Sequence, residues 1–438
     1  MTIRSAAPGR IRSTSTSSSA SRSAPTGRWP CCTRRSREAS RSPGGRGSGA
    51  VTPAHPLGGA THTSDVVVVG AGIVGASCAY HLARRGLSVT VLEREAAPAL
   101  GSTGRSAAGV RVQFTTRPNI EFSMYSLPVY RGFRERHGFE IGYRDIGYLL
   151  LVPPERWDGH LESVALQHSL GAPVEVLEPA DARRYVPMET DDLGGATYGP
   201  WDGIIDPHMA THAWVSMGRQ CRVDYRFRHA VAAVRHESGG WTLEAGGESF
   251  ACGQVVNAAG AWSGVLGRLA GLEVPVRPKR IQIFLSAPVA DERVYPLTID
   301  LGTGVYLRSE GDRILFGLDA HADDGFTEGI DWSWLEHVLI TGVERYPWWA
   351  DLGVDRQGSW WGYYGVTPDN GPVIGFHPEA EGWIDACGFS GHGIMHSPAT
   401  GLAVSELAAE GRSHTLDITA FRHARFLKEQ REVEVNIF

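Results

Sequence analysis

The sequence predicts a two-domain α/β chain, with a Rossmann-like domain joined to an α+β domain built on a mainly antiparallel sheet. Three observations carry that expectation. From Asp65 a buried strand, a glycine-rich turn, a helix and a second strand follow one another within about 30 residues. Beyond this unit, helical and strand-like pieces keep alternating without a repeat period, in more strands than one Rossmann sheet uses. The 438 residues, 42% of them hydrophobic, suffice for two or three domains with real cores.

Residues 1–63 stand apart. They hold ten Arg and one acid, Glu38, and include the run Ser13 to Ser19 of serine and threonine only. Such a segment buries too little apolar surface to offset its conformational entropy. An organelle transit peptide, a nucleic-acid-binding tail and an extension from an over-early start codon share this composition. We expect a disordered or non-native extension. Its charge of +9 leaves −15 on the rest of a chain whose total is −6, so nothing in the body argues for nucleic acid. Six scattered cysteines without a C-x-x-C pair argue against a disulfide framework or a zinc site, and fit a reducing, cytoplasmic setting. No apolar run approaches the roughly 18 residues of a membrane span.

Structure is expected to begin at Asp65. Val66–Val69 is apolar on both faces, as a buried parallel strand is. After the turn, Ala76, Ala79, Leu82 and Ala83 recur at helical spacing, and Arg84-Arg85-Gly86 ends that helix. Leu87–Leu92 is the second strand. Further helices are expected at 118–135, 209–220, 263–270, 331–345 and 398–411, and strands at 147–152, 241–244, 253–257, 280–286, 304–308 and 313–317.

The turn reads Gly70-Ala71-Gly72-Ile73-Val74-Gly75, a G-x-G-x-x-G between strand and helix. The first glycine permits the tight turn and the second lets a pyrophosphate approach the backbone. The third lets the helix pack against the strand, and the helix N-terminus favours phosphate charge. Glu93, at the end of the second strand, can accept from both ribose hydroxyls, which favours FAD or NAD over NADP. A single such unit at the start of the folded region, with no second one for a nicotinamide partner, suits a flavoprotein.

Three more segments sharpen this: Gly101-Ser102-Thr103-Gly104-Arg105-Ser106-Ala107-Ala108-Gly109-Val110-Arg111, Val255-Val256-Asn257-Ala258-Ala259-Gly260-Ala261-Trp262, and Gly388-Phe389-Ser390-Gly391-His392-Gly393. With the first motif they resemble the D-amino-acid oxidase superfamily of FAD-dependent oxidoreductases, and within it sarcosine oxidases of monomeric and β-subunit type, glycine oxidase and dimethylglycine dehydrogenase. The resemblance runs from about Asp65 to Phe426. It implies a discontinuous FAD-binding domain (64–140, 198–262 and 365–438) and a discontinuous substrate domain (141–197 and 263–364). It also implies FAD contacts from Gly70, Gly72, Ile73, Val74, Gly75, Glu93, Arg94, Ser102, Thr103, Arg105, Ser106, Val231, Gly260, Gly391, His392, Gly393 and Ile394.

The chemistry so implied is oxidation of the Cα–N bond of a small amino acid or N-alkyl amino acid, by hydride transfer to flavin N5, with the protein orienting the substrate. The resemblance makes Arg111, Tyr364, Lys279 and His392 the catalytic candidates. Arg111 stands where sarcosine oxidases keep a carboxylate-binding arginine, whose planar fork suits that group. Tyr364 matches a pocket tyrosine. Met395 replaces a second carboxylate contact, a lysine, which points to a bulkier or less polar substrate. Gly362 stands where the covalent FAD linkage has its cysteine, so FAD is expected to be non-covalent.

Only Lys279 and Lys428 are lysines, so Lys279 either reaches the flavin or is a solvated strand-end charge. The electron acceptor is then oxygen or a redox protein. His208 either matches a histidine that anchors a second flavin or simply starts a helix. Trp348, Trp349, Trp360, Trp361, Tyr363 and Tyr364 either wall an apolar pocket or pack a core or interface. No metal-ligand spacing stands out, and a homo- or hetero-oligomer fits. Two other functions share the fold: a non-catalytic flavoprotein subunit or assembly factor, and a 2-hydroxy acid dehydrogenase.

Overall fold

The computed structural model describes residues 62–237, 239–318, 325–427 and 433–435. The extension expected before residue 62 lies outside them. β1 (His62–Val69) includes three residues before the expected start at Asp65 and runs alongside Glu248–Asn257, with His62 opposite Phe250.

β1, α1 (Ile73–Arg84) and β2 (Val89–Glu93) form the β-α-β unit read from the sequence. Val66, Val67 and Val68 are fully buried, and β1 pairs in parallel with β2 on one side and with Glu248–Asn257 on the other. This first sheet continues to Asp224–Phe227 beyond β2, and to Trp383–Cys387 and Val373–Phe376 beyond Glu248–Asn257. Val231–Glu237 and Gly240–Ala245 form an antiparallel hairpin attached to Glu248–Asn257.

The second sheet has eight strands, ordered Val354–Val366, Arg277–Ser286, Arg313–Leu318, Val305–Glu310, Leu297–Asp300, Tyr148–Val152, Gly195–Gly199 and Glu175–Leu177. Its neighbours are antiparallel except for Leu297–Asp300 beside Tyr148–Val152. The expected domain limits at 197/198 and 364/365 fall inside the strands Gly195–Gly199 and Val354–Val366.

Several elements escape the sequence patterns, among them the strands Gly195–Gly199, Asp224–Phe227, Leu297–Asp300 and Trp383–Cys387, and two have a clear physical reason. The helix Pro154–Ser169 buries His160, which meets Thr197 Oγ1, and Gln167, whose Nε2 donates to the Phe114 carbonyl. Its inner face is therefore not apolar, and periodicity missed it. Val354–Val366 carries glycines that read as loop. A Cβ on Gly362 would stand 2.9 Å from the Arg105 Cβ, and one on Gly365 3.0 Å from the Gly260 carbonyl oxygen. Those glycines let the strand approach the cofactor-side loops closely.

The last long helix, Gly393–Glu410, starts five residues before the expected 398 and runs through Pro398. Pro398 has no N–H for the Ile394 carbonyl four residues back. The buried Tyr130 hydroxyl donates to that carbonyl at 2.7 Å and restores its partner. Tyr130→Phe should therefore cost about 1–3 kcal/mol, the penalty for a buried carbonyl left unsatisfied. Adding Pro398→Ala should recover part of that loss, and urea melts of the two variants check it. The same helix crosses α1 closely, since a Cβ on Gly401 would lie 2.3 Å from Ser77 Oγ.

Candidate functional site

The glycine turn opens onto a cavity of about 380 Å³. Gly70 adopts φ +107°, and a Cβ there would meet the Ala258 carbonyl oxygen at 2.4 Å. A Cβ on Gly75 would stand 2.0 Å from the Gly70 carbonyl oxygen, so this glycine sets how closely α1 packs on β1. Gly72, at the cavity, has only Thr103 Oγ1 near its Cβ position, at 3.1 Å. Thr103 Oγ1 in turn accepts from Ile73 N–H at 3.2 Å.

Glu93 is fixed at the cavity wall by main-chain donors. Its carboxylate accepts from Ala71 N–H at 2.6 Å and from Glu95 N–H at 2.9 Å. A carboxylate has about four acceptor positions, so capacity remains for the two hydroxyls of a ribose. Arg94 lays its guanidinium over Trp262, 3.5 Å from the ring centre.

Ile73, Val74, Ser102, Thr103, Ser106, Val231 and Gly260 also line this cavity. Gly391, Gly393 and Ile394 line it as well, with the Tyr364 ring 3.0 Å from where a Cβ on Gly391 would stand. The turn into their helix is unusual: Gly388, Ser390 and Gly391 all have positive φ, at 68°, 48° and 98°. A serine there is strained, and the Ser390 N–H bond to the Gly365 carbonyl, at 3.0 Å, holds it in place. The cradle, the fixed acid and the helix N-terminus fit a dinucleotide cofactor.

Other expected residues fall elsewhere. Arg105 does not line this cavity. It lies over Trp361, 4.7 Å from the ring centre, at a neighbouring space of about 610 Å³ that His208 and Trp262 also border. His208 sits in the first turn of the helix Pro207–Gln220 and packs on Gly104, where a Cβ would lie 2.5 Å from its Cε1. His392 is fully buried and its ring turns to Phe114, with centres 4.8 Å apart, while its neighbours in sequence line the cavity. Of the aromatic run, Trp348 and Trp349 pack with Tyr346 and Phe316 in the core of the second sheet, whereas Tyr363 and Tyr364 reach the cavity.

Lys279 is half-buried and stands opposite Tyr364 in the antiparallel register. Directly paired residues share a face of the sheet, so Lys279 lies on the Tyr364 side.

Arg111 is only 2% exposed. It follows the short strand Gly109–Val110, which pairs with Gly203–Ile204. Its guanidinium lies 4.5 Å from the Phe114 ring centre and 5.9 Å from that of Tyr148. Burial pulls its pKa down, while the negative charge available at Tyr148, Glu434, Asp202 and Tyr364 pulls it up. His396, also fully buried behind Phe114, is pushed down to about 3 by burial and by Arg111, so it is neutral.

Residues that no local motif singled out hold Arg111 in place. Asp202 accepts from Val112 N–H at 2.8 Å and from Gln113 Nε2 at 3.0 Å. Gln113 Oε1 accepts from Thr197 Oγ1 at 2.8 Å, and His160 meets the same hydroxyl at 2.9 Å. In sequence, Asp202 sits in Pro200-Trp201-Asp202-Gly203, which reads as an ordinary turn.

Burial pushes Asp202 up from 3.8 to about 7. A carboxyl raised by folding stabilises the protein fully below 3.8, and that contribution is lost as pH climbs through 7. Asparagine keeps an acceptor oxygen without the charge. Asp202→Asn should therefore gain melting temperature relative to the unsubstituted protein as pH rises from about 5 to 8. A difference that stays flat with pH would contradict this.

Among the described residues no group of His, Cys, Asp and Glu could hold a metal ion, and no helix is long and apolar enough to cross a membrane.

The family described as "FAD dependent oxidoreductase" matches residues 65–407. "FAD-dependent oxidoreductase domain-containing protein 1" of Xenopus laevis is 32% identical over 432 residues, covering 85% of each chain. A "Glycine oxidase" of Geobacillus kaustophilus is 30% identical over 389 residues, covering 84% of this chain and 98% of that protein. Among solved structures, L-proline dehydrogenase from P. horikoshii superposes with a TM-score of 0.79 at 28% identity, covering 85% of this chain and all of that one.

Proposed function

This chain belongs to the family of FAD-dependent oxidoreductases, and from that membership we propose that it oxidises the Cα–N bond of a small amino acid or N-alkyl amino acid. The observation that carries the reading is the buried Arg111 guanidinium, 4.5 Å from the Phe114 ring centre, whose pKa is held up in part by Tyr364; Tyr364 lines the cofactor cavity and Arg111 is not among its lining residues. Relatives named as a glycine oxidase and an L-proline dehydrogenase support an amino-acid substrate.

Gly70, Gly72 and the first turn of α1 would hold the pyrophosphate, Glu93 the ribose, and Gly391, Gly393 and Ile394 the ring end. FAD supplies a two-electron acceptor. Arg111 binds the substrate carboxylate in two parallel hydrogen bonds and so fixes the Cα–N unit. Phe114 covers the Arg111 guanidinium and belongs with Met395 to one buried apolar cluster, and exclusion of water on that side would strengthen the charge pair. Loss of two electrons and two protons from Cα–H and N–H gives an imine, and water converts it to an oxo acid or aldehyde plus an amine. No cysteine is among the described residues lining the cavity, so a cysteinyl link to the flavin has no thiol there, and non-covalent FAD is part of the proposal.

An anaerobic screen tests the proposal. Flavin absorbance should bleach with primary or N-alkyl amino acids. Bleaching by 2-hydroxy acids alone, or by nothing, would sink it.

A further inference from the structure

Gly325-Phe326-Thr327-Glu328-Gly329 is a short strap tied to the strands Arg277–Ser286 and Val354–Val366. Tyr363 Oη donates to the Thr327 carbonyl at 3.0 Å, and Arg280 Nη1 to the Gly329 carbonyl at 2.9 Å. Gly325 N–H donates to the Pro278 carbonyl at 3.0 Å. The two end glycines hold φ of +109° and +85°, and a Cβ on either would meet nothing within 4 Å. Glycines in such open surroundings absorb a backbone rotation without disturbing their neighbours.

Phe326 reaches from the strap to the wall of the cofactor cavity. Its ring stacks on Trp262, with centres 4.9 Å apart and planes at 19°, and meets Tyr363 edge-on at 5.3 Å. Trp262 follows the first-sheet strand Glu248–Asn257, Tyr363 belongs to the second sheet, and both line the cofactor cavity. Phe326 itself borders the neighbouring space of about 610 Å³, whose border shares Arg94, Ser102, Trp262 and Tyr363 with that cavity. Leu100 and Phe326, 42% and 40% exposed, also border the space, so it opens to solvent. The ring therefore stands where the cofactor cavity joins an open space, bridging aromatic residues of the two sheets.

We propose that Phe326 latches a gate over the cofactor cavity, and that the strap 325–329 swings aside for FAD to enter or leave. The proposal rests on FAD being held without a covalent bond. Opening breaks both ring contacts of Phe326, and the glycine at each end takes up the rotation. The strength of those two contacts then sets how often the gate opens. A latch of this kind acts on the path of the cofactor, so it slows entry and exit alike.

Two rates, both read by flavin fluorescence on the full chain, test this: FAD entry into the apoprotein and FAD release from diluted holoprotein. Phe326→Ala should raise each by about tenfold or more, about 1.4 kcal/mol off each barrier, and leave their ratio, Kd, nearly unchanged. Phe326→Tyr keeps the ring and should keep both rates. Phe326→Leu, which loses the stack but keeps apolar bulk, should shift both rates in the alanine direction and serves if the alanine variant does not fold. Faster release with unchanged entry would make Phe326 an ordinary binding contact and overturn the proposal. Two unchanged rates, or a lowered apoprotein melting temperature with unchanged entry, would overturn it as well. Flavin that stays with the heat-denatured precipitate of the unsubstituted protein is a separate failure, since it refutes non-covalent binding and the gate together.

Discussion

Arg111→Ala should raise the apparent KM for carboxylated substrates by about a hundredfold or more, with a smaller fall in kcat. Truncating one partner of a buried, hydrogen-bonded charge pair costs about 2–5 kcal/mol, and each 1.4 kcal/mol is tenfold. The burial and the Phe114 stacking of this guanidinium put it in that class rather than among exposed arginines. A lysine should rescue only part of the loss, because a point charge cannot reproduce the planar fork. Steady-state kinetics on an amino acid and on its decarboxylated amine give the check. The variant should lose its preference for the former, and an unchanged KM would remove Arg111 from the substrate site. Flavin content per chain controls for misfolding.

The second large effect falls on the cofactor. Gly75→Val should yield protein with little bound FAD, because any Cβ there collides with the Gly70 carbonyl oxygen and forces α1 away from β1. Overpacking of this kind costs about 1–3 kcal/mol in stability, and it also displaces the amides that face the pyrophosphate. Heat denaturation offers the measurement. The unsubstituted protein should release about one flavin per chain into the supernatant, as non-covalent binding requires, while the variant releases far less. Gly72→Ala is the instructive contrast. Its Cβ meets only a threonine hydroxyl and otherwise faces the cavity, so FAD affinity should fall while the apoprotein keeps its melting temperature. A Gly75→Val protein with full flavin content would contradict the packing argument.

What could be read from the sequence was what the sequence encodes locally. The turn 70–75, the acid at 93, the loop 101–111 and the turn 388–393 each carry their meaning in adjacent residues, and the structure gathers most of them around one cavity. The grip on Arg111 could not be read in this way. Asp202, Gln113, Thr197 and His160 lie up to 89 residues apart and meet only because the short pairing of Gly109–Val110 with Gly203–Ile204 folds them together. The start of the last helix was misplaced for a different reason. Proline is ordinarily a helix-start signal, and its tolerance inside this helix depends on a hydroxyl from another element.

That hydroxyl has a mechanical consequence. Tyr130 belongs to the helix that begins beside Arg111, and Ile394 lies in the first turn of the helix that ends the cofactor cavity. The bond between them couples the two helices, so that loosening one costs the other a partner. Filling the cavity with cofactor should therefore slow amide hydrogen exchange in Arg117–Arg131 as well as in Gly393–Glu410, and emptying it should release both together.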